Sequence, residues 1–160
     1  MIDPCFELGF SLELGGQYSW RLKEGELRYR GTREFAGLIE GRIPASDEQV
    51  ECFVAALALD LLDTWNWRDD YHQQDVQMDV LDGGHWWLKA KLHDRVCHTA
   101  GENAYPSYHD PRQTTLNPER FDLLRAGLYE AFQIEHFIYQ ARWRQQQAER
   151  LASDVTSSQE

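Results

Sequence analysis

Phe6, Leu8, Phe10, Leu12 and Leu14 alternate with Glu7, Gly9, Ser11 and Glu13. A period of two puts every one of these apolar side chains on one side of a strand and the polar ones on the other. The chain is thereby committed, from its first residues, to a sheet with one buried face. Gly15-Gly16 turns the backbone, and Tyr18, Trp20 and Leu22 alternate with Ser19, Arg21 and Lys23. A second turn at Lys23-Glu-Gly-Glu26 leads to Leu27 and Tyr29, which continue the inward pattern. The result is a three-stranded antiparallel meander, followed by a looser stretch from Gly31 to Pro44.

Ser46 and Gln49 have the spacing of a capping box, in which each side chain satisfies an amide of the first helical turn. Val50, Phe53, Val54, Leu57, Leu61 and Trp65 follow at three- and four-residue steps, a stripe that must pack on the sheet. Beyond it, Val76, Met78 and Val80 read as a strand and Asp82-Gly83-Gly84 as a hairpin turn. Trp86, Leu88, Ala90 and Leu92 then face one way, and Val96 to Ala100 returns to Gly101, a residue able to take positive φ. Asn117 followed by Pro118 predicts a helix start, with Phe121, Leu124, Leu128 and Phe132 on its buried side.

The two halves read as βββα twice, with Gly15-Gly16-Gln17-Tyr18 matching Gly83-Gly84-His85-Trp86, the signature of an internal duplication. The expected fold class is α+β: an antiparallel sheet made of two three-stranded meanders, with two helices on one face. Residues 1–152 form one domain and 153–160 a disordered tail. Ile134, Phe137, Ile138, Tyr139 and Trp143 occupy more than one face of a terminal helix. Trp143, flanked by Arg142 and Arg144, is its candidate contact for a partner or a second copy.

Charge narrows the class of partner. The 160 residues carry 27 acidic against 16 basic side chains, a net −11, which disfavours bulk attraction to nucleic acid or to an anionic membrane. Ten acids and a single Arg68 lie between Ile43 and Asp82, so most of the excess belongs to that segment. Such a concentration suits an acidic docking surface for a basic protein. Six Trp and a 42% hydrophobic content argue against disorder. No run reaches membrane-spanning length, and Met1-Ile-Asp-Pro-Cys lacks the basic and apolar regions of a secretion signal. Cys5, Cys52 and Cys97 are odd in number and widely spaced, which favours a reducing cytoplasm over a disulfide framework.

No decisive catalytic motif is present. G-x-S-x-G, a phosphate loop, a dinucleotide fingerprint and H-E-x-x-H are all missing. None of His72, His85, His93, His98, His109 and His136 has a second ligand at helical spacing. Asp69, Asp70, His72 and Asp75 form the densest polar group, whose hard oxygens could bind a divalent cation, but the spacing is not that of an EF-hand. Cys97 beside His98 shows no feature that would lower its pKa. Neither a metal nor a cofactor is expected.

The strongest local pattern is Trp65-Asn-Trp67, Tyr71, Asp82-Gly83, Trp86 and Gly101-Glu-Asn-Ala-Tyr-Pro106. Here, from Trp65 to about Phe121, the chain resembles small bacterial domains of unassigned function that share the Trp and Tyr, the Asp-Gly with a following Trp strand, and Gly-x-Asn-Ala-Tyr-Pro. The resemblance implies a bacterial origin and an α+β fold, and transfers no catalytic residue. The leading expectation is a non-enzymatic inhibitor, like an immunity protein, that docks its acidic segment on a basic toxin or nuclease. Trp67, Asp69, Asp70, Tyr71, Asp75 and Trp143 are the expected contacts. A DNA mimic is the second version of that reading. The alternatives are a metal-dependent hydrolase or nuclease built on the Asp69 group and a structural subunit that assembles through the terminal helix.

Overall fold

The computed structural model describes residues 4–12, 16–33, 37–73 and 84–157. Four antiparallel strands come first: β1 (Cys5–Leu12), β2 (Gly16–Lys23), β3 (Glu26–Arg33) and β4 (Gly37–Pro44). The stretch expected to be loose is therefore the end of β3 and a fourth strand. Gly37-Leu-Ile-Glu-Gly-Arg-Ile-Pro44 does alternate, but its glycines and proline mimic a loop. β5 (Asp70–His72), β6 (Gly84–Leu92) and β7 (Arg95–Glu102) complete one seven-stranded sheet in the order β4-β3-β2-β1-β6-β7-β5.

The sheet is mixed rather than purely antiparallel, because β5 runs parallel to β7. Nor is it two three-stranded meanders side by side: β1 lies between the hairpins β2-β3 and β6-β7, with Leu12 opposite both Gly16 and Gly84. The expected strand at 76–80 and the Asp82-Gly83 turn lie outside the described residues. After β7 the chain forms a short ribbon, β8 (Tyr105–Pro106) with β9 (Thr114–Thr115).

The buried face carries Phe6, Leu8, Trp20, Leu22, Leu27, Tyr29, Trp86 and Leu88, the inward positions set by the two-residue period. Helices cover it. The Ser46–Gln49 capping box is formed, with the Gln49 amide on Ser46 Oγ at 3.2 Å and the Ser46 amide on Gln49 Oε1 at 2.9 Å. It starts α1 (Asp47–Phe53), whose Val50 and Phe53 are buried. The helix then widens into a π-helical segment, Val54–Leu61. Each π turn takes more residues than an α turn, so the apolar stripe rotates out of register. Leu61 is consequently 72% exposed, against expectation, while Leu62 takes the buried position; the helix stops there, Asp63 turns left-handed at φ 53, and Trp65 in the following turn is 52% exposed.

Asn117 caps the next helix from one position further out than expected: its Oδ1 accepts the Glu119 amide at 3.1 Å, and Pro118 precedes α2 (Glu119–Ala131). Phe121, Leu124, Leu128 and Phe132 are buried as their spacing predicted. Gln133, at φ 53, breaks the path, and a third helix, α3 (Ile134–Ser157), buries Ile134 and Ile138. The helix runs through Ser157, so 153–157 are helical where a disordered tail was expected. No described helix is long and apolar enough to cross a membrane.

Candidate functional site

Trp86 is the hub of the core. Its ring meets those of Trp67, Tyr71, Tyr105 and Phe121 at centroid distances of 5.2–6.1 Å, the offset and edge contacts that aromatic quadrupoles favour. The Gly-x-Asn-Ala-Tyr-Pro stretch is built around it. Trp86 Nε1 donates to the Ala104 carbonyl at 2.9 Å, and Tyr105 stacks on the indole at an interplanar angle of 6°. Gly101 sits within β7 under the indole and is not among the positive-φ residues; Asn103 takes that role at φ 51. Its amide donates to the Gly84 carbonyl at 2.8 Å, and its Oδ1 accepts the Gly84 amide.

Two of the expected contacts, Trp67 and Tyr71, are thereby placed in the core. Trp67 is 7% exposed and donates Nε1 to the Leu62 carbonyl at 3.0 Å. Tyr71 is fully buried, with its hydroxyl accepting the Arg68 amide at 2.9 Å and donating to the Pro111 carbonyl. Trp67, Tyr71 and Trp86, three of the aromatics that stood out in the sequence, are a folding framework whose polar atoms have partners inside, while Trp65 of the same pattern is exposed. Asp69 and Asp70 are exposed at the start of β5, where Asp70 lies 3.9 Å from Arg68 and 3.7 Å from His72. Asp75 is outside the described residues. Trp143 is 55% exposed on α3.

What the sequence did not reveal is how charge divides between the two sides of the molecule. On the uncovered sheet face stand Arg21, Lys23, Arg28, Arg30, Arg42, Lys89 and Lys91, including all three lysines of the chain. Glutamates on that face offset them locally: Glu7 lies 3.5 Å from Arg21 and 3.6 Å from Lys23, Glu26 pairs with Arg28 and Arg42, and Glu40 with Arg30. The covering helices have the opposite balance. Residues 47–66 and 119–135 carry nine acids and two arginines, Arg120 and Arg125, while the rest of α3 leans the other way, with Arg142, Arg144 and Arg150 against Glu149 and Asp154.

One of those arginines is committed to the structure. Arg120 donates Nε to the Ser107 carbonyl and Nη1 to the Leu62 carbonyl, both at 2.8 Å, and Nη2 to the Tyr108 carbonyl. This fork ties the end of the π-helical segment to the loop before β9, and leaves a cleft of about 610 Å³ between that segment and α2. Leu57, Leu61, Tyr108, Leu123 and Gly127 line it, with Glu130 at its rim. Leu61, Tyr108 and Leu123 are exposed there. Exposed apolar side chains gathered in one concave place mark interaction sites in soluble proteins.

The buried Cys97 Sγ donates to the Thr64 carbonyl at 3.3 Å, and burial, against that bond, pushes its thiol up to about 11. The thiolate that a nucleophile needs is therefore suppressed at neutral pH. Among the described residues no group of His, Cys, Asp and Glu is arranged to hold a metal ion. Comparison with protein-family models, with curated proteins and with solved structures finds no match to this chain.

Proposed function

We propose that the protein is a non-enzymatic bacterial inhibitor that works as an immunity protein does, by docking its acidic helical side on a basic protein partner. The observation that carries this reading is the apolar cleft between the π-helical segment and α2, which opens between the stretches 47–66 and 119–135, where nine acids stand against two arginines. An apolar side chain of the partner seats against Leu61, Leu123 and Tyr108, and surrounding carboxylates meet its basic rim. Burying the centre while leaving charge at the edge is how strong interfaces divide affinity from steering. The π-helical segment supports the same reading, because it is the local irregularity that turns Leu61 outward.

This moves the expected contacts. Trp67 and Tyr71 serve the core, Asp69 and Asp70 act as peripheral charges, and the anchors become Leu61 and Leu123. The test is to purify the tagged chain from its native host and identify what is retained at low salt and released at high salt. The expected result is a basic protein whose toxicity or nuclease activity falls when the two are co-expressed. Retention only of acidic proteins, or a basic protein whose activity is unaffected, contradicts the proposal.

A further inference from the structure

β4 is one edge of the sheet, and its free hydrogen-bonding groups belong to identifiable residues. Glu24 and Gly25, at φ 55 and 80, form a two-residue turn, so Lys23 and Glu26 are the bonded pair that closes the hairpin. Bonded and non-bonded pairs alternate along antiparallel ladders. Leu27, Tyr29 and Gly31 of β3 therefore bond toward their β4 partners Ile43, Gly41 and Ile39. The Ala45 amide, donating to the Gly25 carbonyl at 2.9 Å, continues the series. The amides and carbonyls of Leu38, Glu40 and Arg42 consequently point away from the sheet, and no described strand pairs with them.

Leu38-Ile-Glu-Gly-Arg-Ile-Pro44 is complementary to itself when reversed. An antiparallel copy centred on Gly41 sets Glu40 opposite Arg42 twice, Ile39 opposite Ile43 twice, and Leu38 opposite Pro44. The faces agree as well. Glu40 and Arg42 share the open face, Ile39 and Ile43 the covered one. In this register Glu40 and Arg42 form bonded pairs through the very groups that face outward. Gly41 meets Gly41 as a non-bonded pair, the closer kind, at about 4.5 Å between Cα atoms. Glycine ordinarily weakens a strand. Here it admits Phe137 of α3, whose ring would lie 2.2 Å from a Cβ at this position.

We infer that β4 is the contact edge of a symmetric dimer, in which two copies join β4 to β4 about a two-fold axis at Gly41 and form one continuous sheet. Charges and a proline usually protect an edge from indiscriminate pairing. Glu40, Arg42 and Pro44 do so against other strands, while an identical strand satisfies both charges. The contact is isologous and closes at two copies. It is independent of the cleft described above.

Sedimentation equilibrium tests the inference. At about 100 μM, well above the Kd of a stable dimer, the expected mass is twice 18.8 kDa. Glu40→Arg sets arginine against Arg42 at both pairs, and Arg42→Glu sets glutamate against Glu40; each raises Kd about tenfold or more. Combining the two restores opposite charges and regains the dimer, an outcome that misfolding cannot imitate. A monomeric wild type overturns the inference, as does a Kd unmoved by Glu40→Arg. A dimer lost on Trp143→Ala but retained in Glu40→Arg assigns the contact to α3 and also overturns it.

Discussion

Gly101 lies so close beneath the Trp86 indole that a Cβ at residue 101 would be 2.1 Å from Trp86 Nε1. The same Cβ would be 2.5 Å from the Ala104 carbonyl oxygen, which accepts that indole's hydrogen bond. A methyl group at this position forces apart the ring, the strand and the Asn-Ala-Tyr turn together. Gly101→Ala is therefore expected to cost about 1–3 kcal/mol, measured by urea unfolding. Trp86→Phe in the same background recovers part of that, because it removes the indole nitrogen; full additivity of the two losses would contradict the account.

Arg120→Ala is expected to destabilise through the carbonyls of Ser107, Leu62 and Tyr108, which lose their shared donor. A loss of about 2–3 kcal/mol follows from leaving such groups poorly satisfied. Arg120→Lys recovers little, since one ammonium cannot reproduce the planar fork. Thermal unfolding of both variants checks this.

Ser46→Ala removes the side-chain half of the capping box and is expected to cost about 1 kcal/mol. Denaturant unfolding should show a lower midpoint with an unchanged slope. The same change at Ser153, whose hydroxyl bonds the Glu149 carbonyl within exposed α3, should leave the midpoint in place.

Alkaline pH should weaken the fold. The Cys97 thiol is raised from 9.0 to about 11, and the Tyr71 hydroxyl from 10.0 to about 12, both chiefly by burial. Between pH 9 and 11 the unfolded thiol has lost its proton while the folded one keeps it. The unfolded state is then favoured, and stability present below pH 9 declines as pH rises, by up to about 1.4 kcal/mol per unit for each such group. Cys97→Ala should make the decline from pH 9 to 11 shallower. An identical slope in the variant would show that the thiol does not contribute.

The period of two, the capping box and the spacing of α2 were legible because each is a local pattern with one physical reading. β4 was not, because Gly37, Gly41 and Pro44 look like a connection until Phe137 is seen to require the space at Gly41. The spacing places Leu61 and Trp65 in the core only if α geometry runs throughout; the π-helical segment overrides it at Leu61, and the left-handed break at Asp63 overrides it at Trp65. Trp67 and Tyr71 drew attention as aromatics in an acidic stretch, yet sequence alone could not tell an anchor offered to a partner from one packed on Trp86. The opposition of basic sheet face and acidic helices was hidden for a different reason: cations spread over four strands converge only after folding.

The most direct test of the central claim is a calorimetric titration of the co-purified basic partner with wild-type protein and with the Leu61→Lys, Leu123→Lys double variant. Both leucines are exposed, so their replacement should change unfolding free energy by no more than about 0.5 kcal/mol. Reversing the cleft's character should nonetheless weaken binding at least about 100-fold, as loss of central anchors does, while Arg28→Glu on the open sheet face leaves affinity unchanged. Equal affinity of wild type and double variant, or binding lost through Arg28→Glu instead, would contradict the assignment of the cleft as the docking site.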